Sequence, residues 1–270
     1  MSESEKKIVE QEEEEFEEPL SIGQKFMKLF NKMGDLFILN IYFTASIIPI
    51  FTIGAAFTAL YSLTNKMIKD KEGSLRTEYW KAFKANLKQG TAIWVFDLII
   101  FAIIWYLMVR MNINFNNGAK SPVELTILTL LVFFMALEVP LQFPLLSRYQ
   151  NTVPMIMLNS LVLALTNFGI WFKQFFMWML PVVLYYFYTK ALVYTWFLWL
   201  MLLTAIFAYI SSSFLVPFYE KIEQAEADRE EAKEREKAEA EAKAAAEKAQ
   251  AAAEKAEREA ANKAARKKKK

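Results

Sequence analysis

Five apolar runs, near residues 36–63, 91–109, 123–147, 169–188 and 192–216, constrain this chain more than anything else in it. Each is close to, or longer than, the ~20 residues a helix needs to cross a ~30 Å hydrocarbon core. Inside a bilayer the backbone must satisfy its own hydrogen bonds, which a helix does within one segment. The runs therefore predict an all-α, polytopic transmembrane helix bundle of about five membrane segments.

Charge is confined to the edges of that core. The sequence is 55% hydrophobic with a formal net charge of +2, yet residues 1–20 hold nine Glu against two Lys, and residues 219–270 are almost entirely Ala, Glu, Lys and Arg. This divides the chain into a disordered acidic tail (1–20), a membrane domain (21–218) and a charged cytoplasmic helix (219–270). The acidic start, with no basic stretch leading into an apolar run, predicts no cleavable signal.

The chain has no cysteine and no histidine. Disulfides, His/Cys zinc sites and histidine-dependent catalytic triads are excluded. Gly23-Gln24-Lys25 lacks the spacing of a phosphate loop. The expectation is a protein that is not an enzyme, with no metal and no cofactor.

Ser21 reads as an N-cap, followed by Ile22, Phe26, Leu29, Phe30 and Met33 at helical spacing, with Lys25, Lys28 and Lys32 mostly elsewhere on the circumference. That predicts a short interfacial helix. The first apolar segment, near 35–63, is broken in the middle: Pro49 withholds a backbone donor and Gly54 offers a flexible joint. One reading is a single kinked crossing; the other is a re-entrant pair of half-helices near 35–48 and 55–69. Segment length favours the single crossing, and hence five crossings in all, whereas Lys25, Lys28 and Lys32 favour the re-entrant form.

Lys66, Lys69, Lys71, Arg76, Lys81, Lys84 and Lys88 make 66–88 the most basic loop of the core, which the positive-inside rule places in the cytoplasm. Leu75, Tyr79, Phe83 and Leu87 predict a surface-lying helix there, feeding into the 91–109 span. An Asn-rich external loop is expected over 110–120. Ser121-Pro122-Val123-Glu124 then has the signature of a capped helix start. Residues 148–166 read as an elbow at the inner leaflet, and 169–188 as a span kinked near Pro181. Tyr185, Tyr186, Tyr188, Tyr194 and Trp196 resemble an outer aromatic belt around a turn at 189–191. The last span, 192–216, is expected to end at Pro217. Beyond it, pairs such as Glu231/Arg235 at i, i+4 favour a free single helix, since no Leu/Ile seam is present for a coiled coil.

Few polar groups interrupt the apolar runs, and these are the candidate sites. Glu138 lies near the middle of its span and Asp97 just inside the inner end of its own; a carboxylate at such depth is costly unless paired, hydrated or protonated. With Asn40 they form the candidate intramembrane polar site. The alternative for each is a satisfied helix contact. Pro49, Thr52 and Gly54 form a candidate broken-helix site of the kind found in transporters, or a plain kink. Arg148, Asn151 and Asn159, with Lys81, Lys84 and Lys88, are candidates for organising or docking the elbow.

Three stretches carry a family resemblance over about residues 22–222. The first is Gly34-Asp35-Leu36, Asn40, Pro49-Ile50-Phe51-Thr52-Ile53-Gly54 and Ala59-Leu60-Tyr61. The second is the basic segment Tyr79-Trp80-Lys81-Ala82-Phe83-Lys84-Ala85-Asn86-Leu87-Lys88-Gln89. The third is Phe143-Pro144-Leu145-Leu146-Ser147-Arg148-Tyr149-Gln150-Asn151-Thr152, with Asn159 after it. In this order they resemble the YesL family of bacterial membrane proteins. The resemblance implies a multi-pass protein of the cell membrane, most often Gram-positive, associated with carbohydrate uptake near sugar ABC transporters. The family has no established biochemical activity, and the acidic head and Ala/Glu/Lys tail fall outside its pattern.

Three functions follow as expectations. One is an accessory component of carbohydrate uptake that contacts ABC-type permeases in the bilayer. The second is a small proton-linked carrier or channel using Glu138 and Asp97. The third is an anchor whose C-terminus, on the cytoplasmic side, recruits partners. The Lys267–Lys270 end suits anionic lipid or RNA, and DNA is not an expected partner.

Overall fold

The computed structural model describes residues 22–116, 121–187 and 203–267, with side chains described over 31–112, 121–184, 186–187 and 203–243. The acidic tail, the Ser21 cap, the belt residues Tyr188, Tyr194 and Trp196, the turn at 189–191, the first half of the 192–216 segment and the side chains of Ile22–Phe30, Tyr185 and Lys267–Lys270 lie outside these residues. Seven α-helices and one 3-10 turn make up the described chain, with no strand among them.

Helix α1 (Ile22–Ser46) runs the interfacial segment and the first half of the apolar segment together without a break. It stops where Pro49 disfavours helical backbone in the residue before it. Ile50–Thr52 form the 3-10 turn, and α2 (Ile53–Ile68) follows. Side chains take up the carbonyls released at this break. The Thr52 hydroxyl lies 2.6 Å from the carbonyls of both Ser46 and Pro49, and Trp94 Nε1 donates to the Ile50 carbonyl at 2.8 Å.

The break reverses the chain rather than kinking it. Lys32 Nζ, on α1, lies 2.6 Å from Asp70 Oδ1, just past the end of α2. Asp70 occupies the left-handed region at φ 50°, and Lys71 N–H donates to the Lys66 carbonyl at 3.0 Å, which closes α2 in a Schellman turn. The first segment thus folds as a helical hairpin and not as a single kinked rod.

Gly54 is not a joint. It lies inside α2 at a crossing with α3, where an added Cβ would sit 2.1 Å from the Gly90 carbonyl oxygen. Only a pair of glycines lets the two backbones approach this closely. Ala55, Ala56, Ala59, Leu60 and Leu63 are fully buried, so α2 is the centre of the core.

Helix α3 (Leu75–Asn116) unites the basic helix and the following span, and remains helical to Asn116 where a loop was expected from residue 110. Its first sixteen residues lie antiparallel to α2, with Lys66 and Glu78 ion-paired at one end and Gly54 on Gly90 at the other. Its second half is apolar and largely exposed. Helix α4 (Pro122–Arg148) starts at Ser121, whose hydroxyl accepts from Glu124 N–H, and Arg110 Nε pairs with Glu124 Oε1 at 2.7 Å. Pro140 leaves the Ala136 carbonyl without its helical donor. Trp171 Nε1 supplies one at 2.9 Å.

Helices α5 (Val153–Thr166) and α6 (Phe168–Phe187) meet at Asn167 with a bend of 108°. Among the described residues α3 and α4 are long and apolar enough to cross a membrane, and the bent α5–α6 pair is a third if counted as one span. Helix α7 (Thr204–Lys267) carries Pro217 within it, so that proline does not end the helix as the sequence suggested. The chain divides into two compact units, Met1–Val216 and Pro217–Lys270. In the second, every residue from Gln224 to Lys243 is exposed, and Arg235 pairs with Glu231 at 2.5 Å.

Candidate functional site

Two polar clusters are buried within the first unit. The α3–α4 interface holds Asp97, Glu138 and Gln142, all fully buried. Gln142 Nε2 donates to Asp97 Oδ2 at 2.5 Å. Glu138 stands one turn before Gln142, on the same face of α4. Four oxygens here have no protein partner: Asp97 Oδ1, Gln142 Oε1 and both oxygens of Glu138. Each such buried acceptor costs ~1–3 kcal/mol relative to a partnered one. A proton or a small cation is the chemistry that relieves this arrangement.

The second cluster joins α2, α6 and the start of α7 around Tyr61. Its hydroxyl accepts from Gln174 Nε2 at 2.8 Å and Trp178 Nε1 at 2.9 Å, and Ser211 Oγ lies 3.4 Å away. Ser211 also donates to Gln174 Oε1, and Thr64 pairs with Ser212 at 2.8 Å. Every member has a partner, so this cluster locks three helices together rather than presenting reactive groups.

An apolar cavity of about 370 Å³ lies against Tyr61, walled by α2, α3, α4 and α6. Phe57, Trp94, Phe143 and Trp178 are among its lining residues.

The structure separates several residues that the sequence grouped. Asn40 does not join Asp97 and Glu138; its Oδ1 accepts from the Ala205 N–H at 2.8 Å, in the first turn of α7. Pro49 and Thr52 form the hairpin turn, whereas Gly54 belongs to the helix crossing. Near the elbow, Gln89 Nε2 donates to the Asn151 carbonyl at 2.9 Å, while Arg148 and Asn159 are half-buried and Lys81, Lys84 and Lys88 are exposed on α3. Gln142 escaped the sequence reading, although its spacing of four from Glu138 marks a second polar group on one helix face.

This arrangement of hairpin and long basic-to-apolar helix carries a family likeness. Residues 36–109 match the family described as "Protein of unknown function, DUF624". The DUF624 stretch runs from Leu36 on α1, through the hairpin, to Val109 on α3. It takes in Asn40, the Pro49–Gly54 break, Gly90 and Asp97, and it ends before Glu138 and Gln142. No curated protein and no solved structure matches the chain.

Proposed function

We propose that this chain is a non-enzymatic component of a bacterial cell membrane, of the YesL type, that acts by lateral contact with the permease subunits of a sugar ABC transporter. The observation carrying this reading is the bare outer half of the α3–α4 pair. Trp105 is 71% exposed, and Val123, Leu130 and Phe133 are exposed with it. Such a pair offers a partner helix an apolar face within the bilayer. The cavity lining is apolar and aromatic, a poor match to a polyol, which favours an accessory role over direct sugar binding. The exposed Lys81, Lys84 and Lys88 suit a cytoplasmic, anionic surface at the base of the same helix.

The test is affinity purification in mild detergent from native cells grown on several carbohydrates, with partners identified by mass spectrometry. Recovery of sugar-transporter permeases is the expected result. A partner-free protein under every carbohydrate sinks this reading.

The four unpartnered oxygens at Asp97, Glu138 and Gln142 favour a second reading, a proton-linked carrier. It requires flux in liposomes that disappears in Glu138→Gln.

A further inference from the structure

Among the cavity's lining residues, exposure is confined to α3 and α4. Most of its lining is buried or half-buried, but Phe101 is 42% exposed and Val132 47% exposed. Both lie on the helices whose length and composition suit a membrane crossing. The mouth thus opens on the surface that lipid would cover, and not on water.

The chemistry of the walls selects the occupant. Pro140 and Pro144 contribute pyrrolidine rings and no backbone donor. The carbonyl that Pro140 frees is already taken by Trp171. At the inner end the Tyr61 hydroxyl is held by Gln174 and Trp178. Among the described wall residues, the polar side-chain groups of Trp94, Trp178 and Tyr61 are all engaged within the protein. A void lined in this way stays dry and takes apolar guests. Its volume of about 370 Å³ falls within the ~300–1,000 Å³ typical of small-molecule sites.

We propose that a hydrocarbon chain of a bilayer lipid occupies this cavity, entering past Phe101 and Val132 and ending against Trp178 and Tyr61. The bound chain fills space that the bundle leaves empty between the hairpin and α4. It thereby fixes α6, through Trp178 and Met179, to the Pro140–Pro144 segment.

The experiment uses the full chain purified in maltoside detergent and titrated with a phosphatidylcholine brominated along its acyl chains, a short-range quencher of tryptophan. Trp94 and Trp178 line the cavity, whereas Trp105 faces outward. The expected result is a saturable loss of fluorescence at equimolar lipid. Ala136→Phe and Val139→Phe, which fill the cavity from two positions on α4, abolish that phase while helicity by circular dichroism and monodispersity are kept. Trp178→Phe shrinks the same phase by removing its reporter. Quenching that never saturates, or that is the same in the wild type and in whichever filled variant folds, overturns the proposal.

Discussion

Gln142 Nε2 donates to Asp97 Oδ2 at 2.5 Å across the α3–α4 interface, while Glu138, one turn away on the same helix, has neither carboxyl oxygen partnered. The two carboxyl groups therefore respond differently to removal of charge. Glu138→Gln keeps shape and loses an ionisable group that nothing in the protein compensates, so the melting temperature in detergent should hold or rise. Asp97→Ala strands the Gln142 amide and opens a gap, for a loss of about 1–3 kcal/mol. Thermal unfolding followed by tryptophan fluorescence ranks the two. A fall in Glu138→Gln as large as that in Asp97→Ala would mean that Glu138 is held by a partner after all.

The glycine crossing gives a prediction with an internal control. A Cβ on Gly54 would meet the Gly90 carbonyl oxygen at 2.1 Å, and one on Gly90 would meet Ala55 N at 2.7 Å. Backbone cannot yield as a side-chain tip does, so Gly54→Ala should cost at least the ~1–3 kcal/mol of an overpacked core. Gly34, in mid-α1, has nothing within 4 Å of its added Cβ. Gly34→Ala should stabilise by up to ~1 kcal/mol through helix propensity. The opposed signs, read by thermal melts of single variants, separate contact from propensity.

What the sequence made legible is what local chemistry decides. The Ser121–Glu124 cap involves residues three apart, and the apolar runs and charged ends need only composition. Pro49 announced a break, but not its direction, because reversal depends on Lys32 meeting Asp70 thirty-eight residues later. Gly54 looked like a hinge since its partner, Gly90, is far along the chain. The Tyr61 cluster draws on Gln174 and Ser211, at separations of 113 and 150 residues, and no local pattern encodes such a meeting. Helix α3 runs past its expected end, where Arg110 pairs with Glu124 of the next helix, a tertiary contact that no local pattern encodes.

Asp70 combines strain and attraction, which substitutions can divide. Its φ of 50° is costly for a residue with a Cβ, less so for Asn and not at all for Gly. Asp70→Ala keeps the strain and loses the ion pair, so it should be the least stable of the three variants, below Asp70→Asn and Asp70→Gly. The pair itself is partly exposed and worth at most ~1 kcal/mol. Burial pulls the Lys32 ammonium down, but the Asp70 hydrogen bond, with Tyr209, Asp70 and Glu72 charges, outweighs it and leaves the pKa above the ordinary lysine value. A raised lysine contributes fully below its unfolded value of ~10.4 and loses that contribution as pH climbs through the higher folded value. The stability difference between wild type and Asp70→Asn should therefore persist from neutral pH to about 10 and vanish above it. A difference that disappears already at pH 8 would remove Lys32 from the account.

The hairpin itself can be tested against the rod without reference to function. If α1 and α2 turn back at Pro49, the residues flanking Lys32 and Asp70 share one side of the membrane. If they form one kinked crossing, those residues lie on opposite sides. The chain has no cysteine, so single thiols can be placed without background. Asn31 and Lys71 are both exposed, next to the two partners of the ion pair. Asn31→Cys and Lys71→Cys should react with a membrane-impermeant maleimide from the same face, either in intact cells or in inverted vesicles but not divided between them. Opposite labelling would break the Lys32–Asp70 contact as a native feature.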